Sequence, residues 1–101
     1  AEAMQKEMRG FMAAVECAVE YAANHEGTLV VVTADHETGG LGLVSGNADF
    51  NLSEQGVEYR WCTTGHSAQM VPVYLYGTGA ELINGIMENS ELGTKLKSLI
   101  E

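Results

Sequence analysis

The stretch Thr28-Leu29-Val30-Val31-Val32-Thr33-Ala34-Asp35-His36-Glu37-Thr38-Gly39-Gly40 decides how this chain is read. Its first half is a short β-branched run, apolar on both faces. Such a run predicts a central parallel strand covered on both sides. Its second half cannot continue the strand, because it turns polar and then Gly-rich. In open α/β sheets ligands bind at the carboxyl ends of the strands, and Asp35 and His36 stand at such an end. A carboxylate oxygen beside an imidazole nitrogen is a donor set suited to zinc. Gly39 and Gly40 let the backbone pass close to a neighbouring group. The dipeptide also has a plainer reading, in which Asp35 caps a turn and His36 is merely exposed. Glu37 reads as a ligand, as a partner behind one, or as a solvated turn residue, and the last two are preferred.

Upstream, Met4, Met8, Phe11, Met12, Val15, Ala18, Val19 and Ala22 recur at three- and four-residue spacing. This predicts an amphipathic helix whose apolar stripe, Cys17 included, is core. Asn24-His25-Glu26-Gly27 ends it, with Gly27 suited to a left-handed position. His25 suits the helix C-terminus and is given no role in a site. A helix leading straight into an apolar strand is half of an α/β crossover unit.

Downstream, Leu41-Gly42-Leu43-Val44 is expected to pair as a hairpin with Val57-Glu58-Tyr59-Arg60-Trp61, across a polar surface excursion over 45–56. Thr63-Thr64-Gly65-His66-Ser67 is expected to be a loop. Val71-Pro72-Val73-Tyr74-Leu75-Tyr76 is the last strand, and Pro72 suits its start or an edge position. If that strand runs antiparallel to the Val-rich strand, its beginning lies beside the other's end, and His66 approaches Asp35 and His36. After Gly77-Thr78-Gly79, two short helices are expected, over 80–87 and 91–99, the second capped by Ser90. Ser67 beside His66 in sequence does not make a triad.

The 101 residues suffice for one small domain, 1–101. With 46% apolar residues and one Pro, the composition is globular. Fourteen acidic against five basic side chains give a formal charge of −9. That excludes nucleic acid as a partner, since phosphate backbones are held by Lys and Arg. It also repels an anionic substrate unless a metal ion inverts the local field. No apolar run reaches the length of a membrane span, and no signal peptide stands at Ala1. Cys17 and Cys62 lack a CxxC partner and read as buried free thiols, with a disulfide as the alternative.

The run from Val30 to Gly40 closely resembles the Asp-His motif of bacterial alkaline phosphatases. Thr64-Gly65-His66-Ser67, leading into Val71-Pro72-Val73-Tyr74 and Tyr76-Gly77, resembles their third histidine segment. Order and spacing agree, so the resemblance spans essentially the whole chain, as the C-terminal portion of that family. It implies part of a three-layer α/β/α sandwich, with a mostly parallel sheet and an antiparallel edge strand. It further implies phosphomonoester hydrolysis through a phosphorylated serine, with two zinc ions and a magnesium ion as cofactors. Mapped by motif, Asp35 and His36 would bind the zinc that activates the serine oxygen. His66 would bind the zinc that holds the leaving-group oxygen and later the attacking water. Where some members carry a second histidine, this sequence has Thr38.

The family's serine, phosphate-binding arginine and remaining metal ligands precede the matched region, and no segment here matches them. Arg9 and Arg60 lack the context to replace that arginine. The chain alone is therefore expected to lack the nucleophile and to be inactive. The family also implies a homodimer and a periplasmic or extracellular location. A phosphomutase or sulfatase relative is the nearest alternative, and Glu37-Thr38-Gly39-Gly40 and the final Tyr-Gly segment speak against it. A non-catalytic structural or metal-binding module, with Asp35 as a turn residue, is the alternative from another class.

Overall fold

The computed structural model describes residues 2–43 and 59–100. The surface excursion expected over 45–56 lies outside the described residues. In chain order the elements are α1 (Glu2–Asn24), β1 (Leu29–Val32), β2 (Glu37–Thr38), β3 (Gly42–Leu43), β4 (Tyr59–Arg60), β5 (His66–Ser67), β6 (Tyr74–Gly77), a 3-10 helix (Ala80–Leu82) and α2 (Asn89–Ile100). They form two compact units, one of Ala1–Val32 with Val73–Glu101 and one of Thr33–Pro72.

In the first unit the end of α1 is closed residue by residue. The last carbonyls of a helix have no partner within it. Here the Asn24 side-chain amide donates to the Glu20 carbonyl (2.9 Å), and a ring nitrogen of His25 contacts the Tyr21 carbonyl (2.8 Å). The His25 ring also stacks on that of Tyr21, centroids 3.8 Å apart. Gly27 then takes φ +85°, the left-handed position expected of it.

Apart from a half-buried Met4, the apolar stripe of α1 is covered only in its second half. Ala22 is buried and Val15, Ala18 and Val19 are half-buried, but Met8, Phe11 and Met12 are 51–62% exposed. Length explains the difference. A 23-residue helix is about 34 Å long, whereas four-residue strands reach about 13 Å. A short strand pair can cover less than half of such a helix. Cys17 is exposed rather than core, Cys62 is exposed too, and both thiols are free.

β1 pairs antiparallel with β6, in the register Leu29↔Gly77 through Val32↔Tyr74. The antiparallel pairing of the Val-rich strand with the last strand is as expected, although that strand begins at Tyr74 rather than Val71. The mostly parallel sheet is not found. Among the described residues each of the three ladders is antiparallel and two-stranded, and β1 is half-buried along its length. A parallel neighbour needs a crossover, usually a helix, whereas the described residues between β1 and β6 form short antiparallel ladders of their own.

The helix expected over 80–87 shrinks to the 3-10 turn Ala80–Leu82. Ile83 is extended and buried, and Gly85 takes φ +88°, which stops helical propagation. α2 begins at Asn89, so Ser90 lies inside its first turn rather than capping it. No helix among the described residues is long and apolar enough to cross a membrane.

In the second unit β3 pairs with β4 (Gly42↔Arg60, Leu43↔Tyr59), as expected of the Leu41 and Val57–Trp61 segments. β2 pairs with β5 (Glu37↔Ser67, Thr38↔His66), where only loops were expected. Gly39 joins the two ladders. Its N–H donates to the Gly65 carbonyl (2.9 Å), and its carbonyl accepts from the N–H groups of Cys62 (2.8 Å) and Thr63 (3.1 Å). It takes φ +86°, and a Cβ there would lie 2.6 Å from Cζ3 of Trp61. Only glycine fits both conditions. The Thr33 hydroxyl donates to the Pro72 carbonyl (3.0 Å), tying the two ends of this unit together.

Candidate metal centre

The β2–β5 ladder determines which side chains meet. Side chains alternate faces along a strand, so His36 and Thr38 share one face and Glu37 takes the other. Thr38 stands opposite His66 in the register, which puts His66 diagonal to His36 on that same face. The two imidazoles stack, with centroids 3.5 Å apart and planes 27° from parallel. His66 thus reaches His36 through a local ladder within 33–72, not through the β1–β6 pair from which its approach was inferred.

Asp35 serves two purposes. Its Oδ1 accepts the backbone N–H of the next residue, His36 (3.0 Å). Its Oδ2 lies 3.3 Å from His36 Nε2. The carboxylate is 87% exposed and the imidazole 35%. Nδ1 of His36 lies 3.3 Å from both the Glu37 carbonyl and the Thr38 hydroxyl. The Glu37 carbonyl and the Asp35 carboxylate both only accept, so a proton on Nδ1 satisfies the carbonyl and a proton on Nε2 satisfies the carboxylate. A cation held by Asp35 and His36 takes the place of the Nε2 proton and goes with the tautomer protonated on Nδ1.

The spacing suits a metal ion. Two donors each about 2.1 Å from a tetrahedral zinc ion stand about 3.4 Å apart, and the observed separation is 3.3 Å. Among the described residues, however, no three His, Cys, Asp or Glu side chains converge as one metal site. Asp35 and His36 make a pair of donor-type side chains, with the His66 ring stacked beside that of His36.

The other face of the ladder carries a polar cluster that the sequence did not reveal. Both carboxylate oxygens of Glu37 accept the Gly40 N–H (3.0 and 2.9 Å). The Ser67 hydroxyl donates to Glu37 Oε1 and accepts the Gln69 N–H (3.3 Å). The Glu37 carboxylate is therefore half-buried and bonded to Gly40 and Ser67 rather than solvated. The only sequence signal for Ser67 was its place next to His66.

No protein-family model matches the sequence, and no curated protein does. Solved structures do match. Two mutant structures of TAB5 alkaline phosphatase, both with Mg bound, resemble this chain with TM-scores of 0.78 and 0.76, at 35% and 37% sequence identity. The matches cover 93% and 92% of this chain but only 29% and 28% of theirs. The chain thus spans less than a third of the phosphatase chains it matches. Over nearly all of its own length, in sequence as well as in fold, it is related to the alkaline phosphatases.

Proposed function

We propose that this chain contributes Asp35, His36 and His66 to the metal centre of a phosphomonoester hydrolase of the alkaline phosphatase type. The observation that carries this is the 3.3 Å between His36 Nε2 and Asp35 Oδ2, with the His66 ring stacked 3.5 Å away. Asp35 and His36 hold one zinc ion, and His66 holds a second. Bound zinc supplies charge stabilisation to the attacking and leaving oxygens of an in-line phosphoryl displacement. The Glu37 carbonyl, 3.3 Å from Nδ1, supports the tautomer in which Nε2 would bind the ion. The formal charge of −9 makes such cations necessary before an anionic substrate can approach.

The serine nucleophile, the phosphate-binding arginine, the magnesium site and the remaining zinc ligands belong to other parts of the full-length protein, so this chain alone turns over nothing. Export to the periplasm or exterior and a homodimeric state are inferred from the family likeness alone. The test is His66→Ala in the full-length protein, with zinc counted by elemental analysis and hydrolysis of an aryl phosphate followed. Both are expected to fall. Unchanged zinc content and unchanged hydrolysis refute the role.

A further inference from the structure

We propose that Glu37 and Ser67 are positioning residues of this centre: their side-chain hydrogen bond holds β5 against β2 and so seats the His66 ring on the His36 ring. The proposal rests on the metal-binding role given above to His36 and His66. Two-residue strands have few backbone bonds to hold register, here the rungs of the ladder and the Gly39 N–H bond to the Gly65 carbonyl, and the side-chain clasp adds to them. The Glu37↔Ser67 rung is the neighbour of the Thr38↔His66 rung. A hydroxyl donating to a carboxylate makes a charge-assisted bond, roughly twice as strong as a neutral one. It links residues 30 apart in sequence.

Each end of the clasp is itself fixed. The Gly40 N–H holds both oxygens of Glu37, and the Gln69 N–H donates to the Ser67 oxygen. Both side chains are half-buried and lie on the face of the ladder opposite the imidazoles, so neither would touch an ion held by the imidazoles. Their influence passes through the position of β5. Asp35 and His36 lie on one continuous segment and keep their geometry without the clasp. His66 does not, because only the ladder brings it there.

Ser67→Ala removes the hydroxyl and Ser67→Thr keeps it, and circular dichroism checks that each variant folds. In the metal-free protein, nuclear Overhauser contacts between the His36 and His66 ring protons report the stack with no metal involved. They are expected in the parent and in Ser67→Thr and to vanish in Ser67→Ala; their persistence in Ser67→Ala overturns the proposal. Zinc titration against a chromophoric chelator is the second readout. The binding step that His66→Ala abolishes is expected to weaken about 10–100-fold in Ser67→Ala and to recover in Ser67→Thr, while the other step is unchanged. Equal weakening of both steps, or of neither, also overturns it. Should His66→Ala leave zinc binding intact, the metal-binding role fails and the clasp's part in the centre fails with it. That failure is distinct from the clasp's own, because the ring contacts are read without zinc.

Discussion

The imidazole rings of His36 and His66 lie 3.5 Å apart, centroid to centroid. In two-metal sites the ions stand about 3.5–4 Å apart. The proposed role gives one ring nitrogen to each of two such ions. Asp35 joins only the His36 side, with Oδ2 3.3 Å from Nε2. Asp35→Asn is therefore expected to weaken one zinc-binding step by more than about 100-fold, beyond the range of groups that merely orient a ligand. Because the carboxylate is 87% exposed, the urea midpoint should hardly move. Loss of both binding steps together, or of neither, would contradict this division of donors.

Among the described glycines of the 33–72 unit, Gly39 leaves the least room for a side chain. An alanine there combines a left-handed backbone, costing about 1–2 kcal/mol, with overlap on the Trp61 ring, costing about 1–3 kcal/mol. Gly39→Ala is expected to destabilise by about 2–4 kcal/mol in urea denaturation. In a Trp61→Ala background the steric part should disappear and the backbone part remain. Strict additivity of the two substitutions would show that the ring is not the obstacle.

Gly77 and Gly10 should respond to the same substitution with opposite signs. At Gly77, φ is +111° and a Cβ would overlap the Thr28 carbonyl oxygen, a backbone atom already accepting the Thr78 N–H at 2.9 Å. Backbone cannot step aside as a side chain can. Gly77→Ala should open the β1–β6 ladder, seen as faster amide exchange at Val30 and Val32, whose N–H groups face β6 in this register. Gly10 sits within α1 with nothing within 4 Å of a built Cβ. Gly10→Ala should stabilise by about 0.5–1 kcal/mol, read as a higher Tm.

The sequence was most informative where residue type and spacing act locally. The α1 periodicity, the turn at Gly27, the pairing of the Leu41 and Tyr59 segments and the donor chemistry of Asp35-His36 all follow from near neighbours. What failed depended on tertiary context. The Val30-Val31-Val32 run suggested burial on both faces, yet β1 has β6 as its partner and remains half-buried among the described residues. The exposed Met8, Phe11 and Met12 were invisible as such, because periodicity gives a face and not what covers it. The β2–β5 ladder was missed because Thr63–Ser67 and Ala34–Gly40 are too short and too Gly-rich to show a strand period. The likeness to alkaline phosphatases still brought His66 to His36, because the motif carries the outcome of the ladder without revealing the ladder.

Thr38 tests which group orients His36. Its hydroxyl and the Glu37 carbonyl both lie 3.3 Å from Nδ1. The two are not equivalent. A carbonyl only accepts and so favours the tautomer with the proton on Nδ1, whereas a hydroxyl donates or accepts and allows either. Thr38→Val replaces the hydroxyl with a methyl group, keeps the β-branched shape that suits β2 and leaves the carbonyl in place. Thr38 is exposed, so stability should change by less than about 0.5 kcal/mol. Zinc affinity should fall by less than about 10-fold, the lower end of what ligand-orienting groups contribute. Long-range nitrogen–proton correlation spectra should still show the proton on Nδ1 of His36. A loss beyond about 100-fold, or a shift of the proton to Nε2, would mean that the hydroxyl and not the carbonyl sets the ring.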